Sequence, residues 1–107
     1  IRNVDPKVPT VAYITEHTIG CKWMISILRI LKIGVNRPGM IARSIDGLST
    51  KVLNQQLAKL MEFNIVSKTI YPEIPPHVEY NLTGFGLRFV KILDTIDELE
   101  KFRHERQ

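Results

Sequence analysis

Three features of this sequence predict a mostly helical α+β domain. Apolar residues recur at intervals of three and four through four successive segments. Two short runs rich in β-branched residues lie either side of Pro72-Glu73-Ile74-Pro75-Pro76. A last apolar stripe from Phe85 to Phe102 fills the C-terminal end. The 107 residues suit one domain with one core, spanning 1–107.

The first helix is expected over 10–19, after Pro9, where Val11, Tyr13 and Ile14 sit near helical spacing. Gly20 interrupts it. The second covers 22–33, with Trp23, Ile27, Ile30 and Leu31 on one stripe and Gly34 placed to stop it. Asn36-Arg37-Pro38-Gly39 reads as a turn with Pro38 at the first position of a short helix over 38–45. Asp46-Gly47-Leu48-Ser49 is a tight turn ending in an N-cap, and the helix over 49–63 carries Leu53, Leu57, Leu60 and Met61 on one face. Asn64 is a candidate left-handed cap. Strands follow over 65–71 and 77–82. The prolines between them cannot donate to a ladder, so the loop belongs at the tip of a hairpin. Thr83 caps a final helix over 83–104, whose stripe of Phe85, Phe89, Ile92, Leu93, Ile96, Leu99 and Phe102 outgrows a small core.

Short helix, Gly-containing turn, longer amphipathic helix and hairpin are the elements of a winged helix-turn-helix, in order. The hairpin is then the wing, and the helix over 49–63 enters the major groove of duplex DNA. Opposite its leucines this helix carries Thr50, Lys51, Asn54, Gln55 and Lys59, with Ser49 at its start. Asn and Gln bond adenine edges, Lys reaches guanine acceptors or phosphates, and Ser and Thr serve either. Arg37 and Arg43 bracket the preceding helix where backbone contacts fall, and Lys68 and His77 lie on the wing.

Charge supports a polyanion partner. The net charge is +4, but residues 22–59 hold Lys22, Arg29, Lys32, Arg37, Arg43, Lys51 and Lys59 against Asp46 alone. No stretch is long and apolar enough to span a bilayer, no secretory signal is evident at the first residues, and the single Cys21 excludes an internal disulfide framework. The expected setting is the cytoplasm.

Enzyme chemistry finds no constellation among three scattered histidines and one cysteine, so no catalytic residues and no cofactor are expected. His17 and Cys21 are four apart, but two ligands do not complete a zinc site, and no metal is expected. Gly84-Phe85-Gly86 imitates a dinucleotide fingerprint, yet Phe89 occupies the third glycine position. The alternative to a DNA reader is a winged helix that holds another protein.

The sequence resembles the HxlR-type regulators, winged-helix relatives of the multiple-antibiotic-resistance (MarR) regulators. The likeness runs through Lys22-Trp23 with Ile27-Leu28-Arg29, Leu48 to Leu57, Tyr71-Pro72-Glu73-Ile74-Pro75-Pro76-His77-Val78-Glu79-Tyr80, and Leu82-Thr83-Gly84-Phe85-Gly86. It implies a homodimeric transcriptional regulator that binds an inverted-repeat operator and pairs its N- and C-terminal helices. The interface would use Val11, Ile14, Phe89, Ile92, Leu93, Ile96, Leu99 and Phe102. The resemblance leaves the small-molecule effector unidentified. Several relatives sense oxidants through a cysteine before the first helix, where this chain has Thr10; Cys21 stands instead at a glycine position before Lys-Trp. Cys21 is read as a small packing residue, with Lys22 as its neighbouring cation and a redox thiol as the alternative.

Overall fold

The structure, a computed structural model, describes residues 8–105. Helix α1 (Val11–Thr18) starts at Thr10, whose hydroxyl oxygen accepts from the Tyr13 amide at 3.1 Å. Helix α2 (Met24–Lys32) begins two residues later than its apolar pattern predicts, because Cys21 to Trp23 form a turn of their own. Pro38 opens α3 (Pro38–Ser44) at a position where its missing N–H costs nothing. Ser49 caps α4 (Thr50–Glu62), accepting from Val52 N at 3.1 Å; such a cap contributes about 1 kcal/mol.

Gly34, at φ 95° just after α2, is one of three described residues with the positive-φ backbone that turns require. Gly47 has φ 82° in the turn before α4, and Asn64 has φ 61° where α4 ends. Asn tolerates that region better than other side chains, as its capping role needs.

The antiparallel strands β1 (Val66–Tyr71) and β2 (His77–Leu82) pair Val66 with Leu82 and Tyr71 with His77. β2 is the inner strand. Its Tyr80 amide donates to Asn36 O at 2.8 Å, which ties the wing to the segment leading into α3. The core is built from α2, α3, α4, the residue before β1 and the start of α6 (Lys91–Glu105): Met24, Ile27, Leu28, Ile41, Leu53, Leu57, Leu60, Ile65 and Leu93 are fully buried.

The stripe beyond Thr83 predicts one helix, but the structure has two, α5 (Gly84–Phe89) and α6 (Lys91–Glu105). At the joint the Val90 N–H is shared between Gly86 O and Arg88 O. Phe89 and Val90, at this joint, are both buried in the core.

The same burial corrects the expected interface. Ile14, Phe89 and Leu93 belong to the subunit's own core and have no surface to offer a second chain. Val11, Leu99 and Phe102 are exposed, and Ile92 and Ile96 are half-buried.

Helix α6 is held against α2 by two ion pairs, Arg29 with Asp97 at 2.8 Å and Lys32 with Asp94. The hydrogen bond from Arg29 holds the Asp97 carboxyl below its ordinary range. A carboxylate whose folded value is depressed stabilises the fold above its unfolded value, and loses that contribution as pH falls through the lowered value. Melting temperature is therefore expected to drop through the acid range, with a smaller drop in Asp97→Asn. Identical acid profiles for the two proteins would refute the contribution of this pair.

Candidate nucleic-acid interface

The turn between α3 and α4 decides what α4 presents. With Leu53, Leu57 and Leu60 fully buried, the opposite face must look outward, and Thr50, Lys51, Asn54 and Gln55 are exposed on it. The side chains of Lys51, Asn54 and Gln55 have no hydrogen-bond or ion-pair partner among the described residues, so their donors and acceptors are free for a ligand.

Ala58 completes this face and was missed by reading only polar side chains. It is exposed and lies one turn beyond Asn54. Its methyl group suits the C5-methyl of thymine, and the i,i+4 spacing from Asn54 is the signal that could have found it.

Lys59 does not share this face. Its ammonium donates to His17 O at 3.2 Å and approaches Cys21 Sγ at 3.6 Å, so a residue expected in the groove is turned back onto α1. Ser49 is exposed at the mouth of the turn, but its hydroxyl is already engaged in capping α4.

Arg37 and Arg43 stand at the start and end of α3, both exposed and without an ion pair among the described residues. With Met40, His77 and Val78 they line an open cleft of about 380 Å³ between α3 and the wing. Two guanidiniums around one concave surface suit a backbone phosphate.

The wing is less cationic than its sequence implies. The His77 ring stacks on Tyr71 at 4.4 Å and is bracketed by carboxylates, Glu73 at 3.1 Å and Glu79 at 3.4 Å. Both carboxylates compete with DNA phosphates for it. Lys68 is exposed, with its ammonium 5.9 Å from the Tyr80 ring centroid. Ile74 at the tip is wholly exposed.

Cys21 is half-buried. Its thiol donates to His17 O at 3.2 Å, and its neighbouring cation is Lys59; Lys22 instead lies over the Trp23 ring, 4.8 Å from the centroid. Among the described residues no group of three or more His, Cys, Asp or Glu is gathered as a metal site requires. No described helix is long and apolar enough to cross a membrane.

Comparison with known proteins agrees with this fold. The family model described as HxlR-like helix-turn-helix matches residues 18–107. An HTH-type transcriptional regulator of Synechocystis is 40% identical over 78 residues, covering 73% of this chain and 58% of the relative, so the chain spans less than two thirds of that protein. The crystal structure of the HTH-type transcriptional regulator YtcD superposes with a TM-score of 0.79 at 29% identity, covering 92% of this chain and all of that one. A MarR-family regulator from Enterococcus faecalis V583 gives a TM-score of 0.81 over 99% of this chain and 94% of its own, at 24% identity, a likeness of fold.

Proposed function

The chain belongs to the HxlR-like helix-turn-helix family, and from that membership we propose that it regulates transcription as a homodimer, reading an inverted-repeat site in duplex DNA. The observation that carries this reading is the outward face of α4. Thr50, Lys51, Asn54, Gln55 and Ala58 form one exposed surface backed by a fully buried leucine row, at the position where a helix-turn-helix inserts its second helix. Asn54 and Gln55 read base edges, and Lys51 neutralises phosphate. Arg37 and Arg43 hold the backbone beside them, with Lys68 on the wing.

The second copy is inferred from the apolar surface at the chain ends. Val11 on α1 and Leu99 and Phe102 on α6 are exposed, and Ile92 and Ile96 beside them on α6 are half-buried. Two-fold pairing through these helices would set two copies of α4 about one helical turn of DNA apart, roughly 34 Å, or a multiple of it. Such a regulator acts where the DNA is, in the cytoplasm, and takes no cofactor in this reading.

Selection from random duplexes at two salt concentrations tests the proposal. A steep loss of affinity with salt and an enriched inverted repeat are expected. Absence of binding to any duplex would overturn it in favour of a protein-binding winged helix.

Two substitutions sharpen the test. Asn54→Ala is expected to weaken the selected site about tenfold and to relax preference at one base position. Lys51→Ala is expected to weaken all duplexes alike and to lower the salt slope by about one per subunit. If both variants bound like the parent, α4 would not be the reading helix.

A further inference from the structure

We propose that Lys59 is a positioning residue that fixes α4 to the end of α1, and that it is not a contact to DNA; its role in recognition rests on the DNA-binding reading above. His17 lies in the last turn of α1, where carbonyls run out of helical partners. The amide that would serve it, on Cys21, bonds Thr18 O at 3.0 Å instead. Two side chains replace that donor: the Cys21 thiol and the Lys59 ammonium, each 3.2 Å from His17 O.

A cation at a helix C-terminus also meets the negative end of the helix dipole, and a charge-assisted hydrogen bond there is stronger than a neutral one. Lys59 is half-buried, and Leu57 and Leu60 close to it in sequence are fully buried in the core. Its stem is thus held over packed surface, and its charge reaches a carbonyl 42 residues away in sequence. The edge of Tyr13 against Phe63, with ring centroids 6.1 Å apart, makes a second tie between α1 and the residue that ends α4.

The two ties give α4 a fixed angle relative to α1. Asn54 and Gln55 lie between this anchor and the N-terminal cap. When the anchor is removed, α4 loses orientation. Base contacts need fixed direction and suffer first; phosphate contacts tolerate misalignment.

The experiment compares the full chain with Lys59→Met, which keeps the stem and loses the donor, and Lys59→Arg, which keeps a cation. Affinity for the selected site and for an unrelated duplex is measured across a salt series. Amide hydrogen exchange of Ile19 and Cys21 is followed without DNA. Lys59→Met is expected to bind the selected site about tenfold more weakly with an unchanged salt slope. Affinity for the unrelated duplex stays within about twofold, so the specificity ratio falls, and Lys59→Arg restores it. Loss of stability alone would weaken both duplexes together and leave the ratio fixed. The Ile19 and Cys21 amides lose protection in Lys59→Met and regain it in Lys59→Arg.

A salt slope reduced by about one per subunit, with both duplexes weakened in parallel, would make Lys59 a phosphate contact and overturn the proposal. An unchanged ratio overturns it equally. If the parent protein binds no duplex, the DNA reading fails. The exchange data then decide the anchor by themselves, and unchanged protection in Lys59→Met sinks it.

Discussion

Gly86→Ala is expected to cost about 3 kcal/mol of folding stability, a large share of the roughly 5–15 kcal/mol by which a domain of this size is stable. A Cβ at position 86 would stand 2.0 Å from Ile65 O and 3.0 Å from its carbonyl carbon. These are backbone atoms, fixed by neighbours that cannot swing aside: Ile65 O accepts from Thr83 N, and the Ile65 side chain is fully buried. Relief would require lifting α5 off the start of β1. Gly84, two residues earlier, has nothing within 4 Å of a built Cβ. Gly84→Ala is therefore the control, and it should be near neutral. Urea midpoints of the two variants measure the contrast, and equal midpoints would show that α5 is not seated on Ile65 as described. The glycine pair that imitates a nucleotide-binding loop is thus half packing requirement and half open surface.

Leu99→Glu is expected to weaken binding to an inverted-repeat site by at least about a hundredfold while leaving the subunit folded. Leu99 is 63% exposed on α6, so a charge there disturbs no core. In the proposed dimer it would bury that charge at the pairing surface without a partner, which costs several kcal/mol. Once separated, each subunit reads a half-site alone and loses the effective concentration that pairing provides, a factor of about a hundred or more. Sedimentation and titration of the selected duplex check both halves of the expectation. A variant that remained a dimer with parental affinity would move the interface elsewhere, and a monomeric variant with parental affinity would remove the need for a dimer.

Much of the fold is written in local chemistry. Pro38 does open α3, Ser49 does cap α4, and Asn64 does take the left-handed conformation, because each depends on a residue's own backbone preference. The leucine row of α4 points inward because spacing fixes direction on a helix. What escapes is whatever depends on contacts that spacing along one element does not fix. Spacing puts Lys59 at the margin of the polar face of α4, and only the arrival of the end of α1 draws its ammonium away. His77 reads as a cation on a strand until Glu73 and Glu79 close on its two ring nitrogens. The break at Val90 is equally silent in the stripe, since an interrupted and a continuous helix repeat at the same interval.

Thr83 joins three parts of the molecule through one hydroxyl. It donates to Asn64 O at 2.6 Å, where α4 has just ended, makes a longer contact to Ile65 O, and accepts from Gly86 N at 2.9 Å in the first turn of α5. The start of α5 is thus tied to the end of α4 through the peptide that follows Asn64. In the proposed dimer joined through α6, Thr83 would be where a shift at the pairing helices reaches α4.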